Sequence, residues 1–547
     1  MHFNFNNLHS ISKAYAEYFE INWHIECGLP VILPDISERE DTHLPGAKKL
    51  ISAMIASSEL PQFRLDKFLG PWSMVAIGVG ATIGAGIYVL AGFAASGVNY
   101  PIPSAMDQPL FKVLWQLAHG ALPGPGLHST PPAGAAVALS FLLIGFVCFL
   151  IGLCYAELAS LMPLAGSVYT YSYAALGEAT AWIAGWILVL EYGLGTVVIA
   201  TALGNELKAR LTGFHILMPD QWSLPVWSEA KWTGAYFNVP SFCLVIAVTI
   251  ILSRGIRAFS RINAVMVVLK CGAILFFIVL GSTFVHSANW RPFAPGGMSS
   301  ILSAGIILFF AFIGFDCVSV AAEESQRPER DAPVGILGSV AICSVFYIAA
   351  TFVLLGMVPY TAFQSGAARS PVPALYALQR FGATTISQSV VSAGMLIGLF
   401  SVMFVLQYGQ TRLWYAMSRD GMVPEVFSSL DPKTRTPRWS VWIWGATVAL
   451  CAGLINVGEA SDLVAIGTLM AFAMASICVI VLRRKLPEHP RRFKVPWSPW
   501  LPLASLAATL VMMSNLALIT WLRFLAWLGI GFVIYLAYCR HRNKLCN

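Results

Sequence analysis

The sequence predicts an all-α integral membrane protein with twelve spans, and three observations carry that expectation. The 547 residues are 57% hydrophobic and only 11% charged, with a mean hydropathy of +0.70, whereas a soluble domain carries about 25% charge. The apolar runs are long enough to cross a bilayer as helices and lack the ten-residue alternation of an outer-membrane barrel. Within the first run, Gly78–Gly86 reads GVGATIGAG, four glycines in nine positions. Each interior glycine costs a helix about 1 kcal/mol relative to alanine. In hydrocarbon the loosened backbone groups find no water, so such a break persists only where it faces protein or a cavity. A small polar ligand held inside the bilayer is the implication.

The elements follow in chain order. Residues 1–67 are read as a cytoplasmic tail without a cleavable leader: the first apolar run begins near Gly70, after Glu38, Arg39, Glu40 and Asp41. Three readings of it stand: a surface helix over 8–20, a disordered tail, or a chain that effectively starts at Met54. The spans are expected at 70–98, 134–160, 175–204, 237–253, 260–284, 299–323, 334–358, 387–417, 438–457, 461–483, 498–520 and 522–540, the last two divided by a turn at Trp521–Arg523. Loop 99–133, with Pro123, Gly124, Pro125, Gly126, Pro131 and Pro132, is an external linker whose irregular composition reads as surface structure, not a domain.

Charge sets the orientation. One set of loops carries Arg254, Arg257, Arg261, Arg419, Lys433, Arg435, Arg438, Arg483, Arg484, Lys485, Arg491, Arg492 and Lys494, and the tail adds Arg540, Arg542 and Lys544. The opposite loops hold isolated positives such as Lys112, Lys231, Arg291, Arg369 and Arg380. Both termini are therefore expected in the cytoplasm. The net charge of +7 lies mostly in those loops and does not point to nucleic acid. Eleven scattered cysteines form no CxxC pair and no Cys/His cluster, so neither a disulfide framework nor a zinc site is indicated.

The sixth span carries FFAFIGFD (309–316), an echo of the break in the first. Counting five spans per unit makes these the first helices of two units of opposite orientation, over 68–284 and 285–485, followed by 486–547. Corresponding broken helices in such repeats flank a midplane site. Three ionisable groups sit well inside the spans: Glu191, Lys270 and Asp316. Each costs a few kcal/mol if left unpaired there. A buried lysine can release its proton, which suits a proton carrier; Glu191 and Asp316 serve equally as coupling groups or as a buried pair fixing helix register. Glu157, Glu323, Glu324 and Arg412 lie near span ends and read as gate or anchoring residues, with Arg327, Arg330 and Asp331 as partners. No histidine lies within a confident span, which argues against a haem or intramembrane metal enzyme. Ile83 stands where a dinucleotide fingerprint needs its third glycine.

Taken in order, GVGATIGAGIYVLAG (78–92), CYAELASLMPLAGSVYTYSYAALGE (154–178), GWILVLEY (185–192), FFAFIGFDCVSVAAEESQRPERDAPVGI (309–336) and GQTRLWYAMSRDGMVPEVF (409–427) resemble the amino acid–polyamine–organocation superfamily, in particular its cationic amino acid transporter branch and bacterial relatives. The resemblance covers about 68–485 and extends to the last two spans. It implies a leucine-transporter-like fold, with a 5+5 inverted repeat plus two extra helices, and an amino acid bound between the unwound parts of spans one and six. The N–H groups of Thr82, Ile83, Gly84, Ala85 and Gly86 would take the carboxylate. Carbonyls near Ala81 and around Phe310, Ala311 and Ile313 would take the ammonium. Phe312 would cover the substrate from outside; Asp316 and Met403 would line the site. Lys270 matches the lysine that replaces sodium in proton-coupled relatives, and Glu191 an acidic position nearby. The proton is then the coupling species, with no other cofactor.

The expected function is secondary active amino acid transport, proton-coupled, in the cell membrane. An exchanger of amino acids or polyamines and a membrane amino acid sensor are the alternatives, and no enzyme chemistry is indicated. The uncharged stretch Gly398–Leu406 leans toward small or medium neutral side chains.

Overall fold

A computed structural model describes residues 45–97, 99–213, 215–228, 231–364, 372–456 and 461–545. The chain divides into two units, 1–50 and 51–547. Of the first, only the opening of the helix Pro45–Ser58 is described; the expected surface helix over 8–20 lies outside the described residues.

The second unit is a helical bundle, with a helix overlapping each interval expected to hold a span. Helix α1 is broken into α1a (Pro71–Thr82) and α1b (Gly86–Ser96), inclined at 47°. Next come α2 (Val137–Leu161), α3 (Glu178–Gly213, with a π-turn at Val189–Leu194), α4 (Val239–Leu252) and α5 (Ile256–Ser282). Helix α6 is also interrupted: α6a (Gly297–Leu308), a 3-10 turn (Phe309–Phe312), then α6b (Cys317–Val320) continuing to Glu324. The series closes with α7 (Pro328–Met357), α8 (Thr385–Arg419), α9 (Arg438–Leu454), α10 (Ser461–Lys485), α11 (Trp500–Ser514) and α12 (Leu518–Leu545). Among the described residues, eight helices are long and apolar enough to cross a bilayer, nine with the bent α1 pair; α4, α9 and α11 are shorter.

Local chemistry sets the ends. Pro240 sits in the first turn of α4, and the Asn238 side chain accepts from the Ser241 N–H at 3.1 Å. Gly255, at φ +96°, turns the chain into α5. Helix α7 begins six residues before its expected start of 334. Pro328 opens it, and Asp331 accepts from the Arg327 N–H (3.2 Å) and Ser325 Oγ (3.1 Å), so a charged stretch that reads as loop forms the first turn instead.

A second boundary also differs. The α11–α12 turn falls at Ser514–Leu518, leaving Trp521 and Arg523 within α12. The reason is a backbone exchange with loop 99–133: Leu110 N–H donates to Leu516 O and Leu518 N–H to Gln108 O, both at 2.9 Å. The loop itself carries short secondary structure. Strands β1 (Asn99–Ile102) and β2 (Gly126–Ser129) pair antiparallel around the helix Leu110–Ala118. The stretch after Leu50 is also built into the bundle. Ile51, Met54, Leu65 and Leu69 are buried, and Leu69 bonds the Glu324 carbonyl and the Gln326 N–H at 2.9 Å each.

Helix α1a lies against α5, α7 and α8, while α7 also runs along α2 and α8 along α3. The break in α1 is thereby surrounded by side chains from helices distant in sequence.

Candidate functional site

The α1 helix stops where Ile83 turns extended (φ −78°, ψ 99°), its N–H still donating to Val79 O at 3.0 Å. Sequence reading offers five free donors here; Ile83 is not one of them, and Thr82 lies within α1a. Among the described residues, the N–H groups of Gly84, Ala85 and Gly86 find no acceptor. They cluster at the N-terminus of α1b, where the helix dipole favours an anion. The four glycines divide their work. A Cβ on Gly78 would meet Ser339 Oγ at 2.3 Å and one on Gly80 would meet Asn263 Oδ1 at 2.6 Å, so these admit α7 and α5; Gly84 and Gly86 flank the break itself.

The α6 break answers it. Gly314 sits at φ +111°, and a Cβ there would lie 2.8 Å from Ala81 Cβ and 2.9 Å from Ala81 O. Ala81 thus marks the close approach of the two breaks. Tyr347 on α7 spans them: its Oη lies 3.0 Å from Thr82 O and 2.7 Å from Ala311 O. The one hydroxyl proton donates to these carbonyls in turn. Phe312 is fully buried, its ring 5.1 Å from Tyr347 and 6.4 Å from Phe141. Phe310, Ala85 and Gly86 keep partial exposure, and Ile313 is nearly buried. Met403 is fully buried on α8 beside Val402, whose Cγ2 would lie 3.1 Å from a Cβ at Gly84.

Lys270 is fully buried on α5, and its ammonium bridges the break. Nζ donates to Gly80 O and Ile83 O at 2.8 Å each and lies 3.1 Å from Ser401 Oγ, which itself lies 3.1 Å from Gly80 O. Asn263 adds a bond from Nδ2 to Ala76 O at 2.9 Å. A charged donor on carbonyls that a helix has given up satisfies both partners, as burial of either demands.

Glu191 and Asp316 form a separate cluster. Both are fully buried. Glu191, on the π-turn, sits beside Asp316 and Thr468, and Tyr192 Oη donates to Asp316 Oδ2 at 2.6 Å. Lys270 bonds neither acid, so the two groups read as coupling residues do not pair with each other.

On the arginine-rich side, ion pairs join the helices. Arg412 grips Glu324 with Nε and Nη2 (3.2 and 3.1 Å), and Tyr408 Oη donates to the same carboxylate. Arg419 pairs with Glu323 (2.7 Å) and Arg483 with Glu157 (2.9 Å from Nε). The gate acids expected from sequence are thus paired, but with α8 and α10 arginines rather than Arg327 and Arg330; Asp331 caps α7 instead. Tyr347, Ser401, Asn263 and Tyr192 escaped sequence reading. Their signal was present as polar side chains within apolar spans, but nothing in the sequence says which carbonyl each reaches.

Two facing helix breaks with free backbone donors and a buried ammonium define a multi-pass membrane transporter of small polar solutes. An amino acid permease family model matches residues 69–537, and the chain belongs to that family. It is 37% identical to the branched-chain amino acid permease BcaP of Bacillus subtilis (strain 168) over 498 residues, covering 91% of this chain and 98% of the relative. It is 36% identical to the methylthioribose transporter of the same organism over 499 residues, again 91% and 98%. The chloroplastic cationic amino acid transporter 9 of Arabidopsis thaliana is 33% identical over 441 residues, 79% of this chain and 70% of the relative. The chain is an amino acid transporter, not an enzyme.

Proposed function

We propose that this permease takes up amino acids by proton-coupled alternating access, with helices α1–α5 and α6–α10 as two inverted repeats. The observation that carries the reading is the Lys270 ammonium held on Gly80 O and Ile83 O at 2.8 Å. While charged, it pins the α1 break; once neutral it donates more weakly and the break is released. The amino acid carboxylate binds the N–H groups of Gly84, Ala85 and Gly86, with Thr82 and Ile83 forming the wall. The ammonium binds carbonyls around Ala81, Phe310, Ala311 and Ile313. Phe312 covers the substrate on the outer side, Asp316 and Met403 line the site, and Glu191 serves the proton pathway. Both termini lie in the cytoplasm of a cell whose plasma membrane holds the protein, following the Lys/Arg bias of the loops.

Small or medium neutral side chains fit the uncharged Gly398–Leu406 stretch, and the branched-chain permease among the relatives supports that choice. The test is uptake into proteoliposomes, with and without an inward proton gradient. The wild-type protein accumulates substrate only with the gradient, and Lys270→Ala loses that dependence. Full gradient dependence in Lys270→Ala refutes the role of Lys270. Uptake that requires internal amino acid instead of a gradient identifies an exchanger.

A further inference from the structure

The helix Leu110–Ala118 carries its apolar face outward. Phe111, Leu114, Trp115 and Leu117 are 57%, 56%, 58% and 53% exposed, and Leu122 just beyond is 90% exposed. Among the large apolar side chains of this helix, Val113 is the one buried against the protein, at 5%. At 100° per residue the exposed four span one broad stripe, with Lys112 and Gln116 on the opposite flank. A helix on a water-exposed loop turns its apolar side inward; this one is inverted.

Its position is fixed. The backbone exchange between Gln108–Leu110 and Leu516–Leu518 (2.9 Å in both directions) ties its N-terminus to the α11–α12 turn, and Gln108 Nε2 donates to Gly124 O at 2.6 Å. The helix therefore lies at the level where that hairpin leaves the hydrocarbon, not on a projecting arm. The neighbouring surface of the hairpin is itself apolar and exposed, through Leu510, Val511, Leu522 and Leu525, as lipid-facing helix surfaces are. Trp115 packs on His119 with ring centroids 4.2 Å apart, an aromatic pair of the kind that settles at headgroup level.

We propose that the helix Leu110–Ala118 is an interfacial anchor that lies in the plane of the bilayer. Its Phe111, Leu114, Trp115 and Leu117 stripe is buried in the leaflet at the α11–α12 turn. The occupant of this face is lipid, because the stripe carries no charge and is tied at the α11–α12 turn to helices whose own exposed surface is apolar. The anchor holds the otherwise long 99–133 connection flat beside the bundle.

Site-directed spin labelling of the full chain in liposomes tests this. Leu114→Cys on the stripe and Lys112→Cys on the flank are each labelled in a background whose accessible native cysteines are replaced. Retained uptake shows that the proteins are folded. The expected result is a several-fold higher ratio of oxygen to water-soluble nickel-chelate collisions at 114 than at 112. Free access of the nickel chelate to position 114 overturns the proposal. So does a position 114 shielded from both reagents together with spin–spin broadening between copies, which assigns the face to a second protein chain.

Discussion

Gly314→Ala tests whether the two breaks are built to touch. Two costs add. A Cβ at φ +111° strains the backbone by about 1–3 kcal/mol. The same atom would stand 2.8 Å from Ala81 Cβ and 2.9 Å from Ala81 O, and an overpacked contact costs about 1–3 kcal/mol. The obstacle is largely backbone, so no side-chain rotation relieves it. A total of about 2–6 kcal/mol is a large part of the stability of a typical folded protein. Its lower end already shifts an equilibrium by about 30-fold. The variant is expected to melt earlier in detergent and, where it survives, to take up substrate at least tenfold more slowly, because the approach of α6 to α1 sets the site. Gly529→Ala is the matched control: nothing lies within 4 Å of its added Cβ, and alanine in a helix gains about 0.5–1 kcal/mol. Wild-type melting and uptake in Gly314→Ala would refute the close approach.

Three further outcomes follow from the same contacts. Tyr347→Phe removes the hydroxyl shared by Thr82 O and Ala311 O. It is expected to cost about 1 kcal/mol and to weaken the substrate-induced thermal shift without unfolding the protein; an unchanged shift means the bridge does not matter for binding. Arg412→Met strands Glu324 in a buried site and should destabilise by about 3–5 kcal/mol. Glu324→Leu in the same chain should restore much of that, so additive losses in the melting temperatures would disprove the coupling. Ser401→Ala leaves Lys270 on Gly80 O and Ile83 O and is expected to cost about 1 kcal/mol. A collapse of folding in that variant would show that Ser401, rather than Lys270, holds the break.

By itself the sequence determined the membrane class, the approximate location of the long apolar helices and the break in α1, because hydropathy and glycine content are local properties of the chain. It also singled out Lys270, since an ammonium in hydrocarbon must have a purpose. The echo of the first break in FFAFIGFD suggested the pairing of spans one and six, and family resemblance implied the same pairing. The turn between α11 and α12 was misplaced, because the residues that fix it, Gln108–Leu110, lie some 400 positions away. Only the tertiary structure decided the carbonyls that Lys270 holds, the Tyr347 bridge, and the arginines that pair with Glu323 and Glu324. It also cut the free donors at the break from five to three, by showing that α1a continues through Thr82 and that the Ile83 N–H is already bonded. The physical reason is common to all of these: a hydrogen bond depends on where two groups meet in space, and hydropathy reports only which residues avoid water.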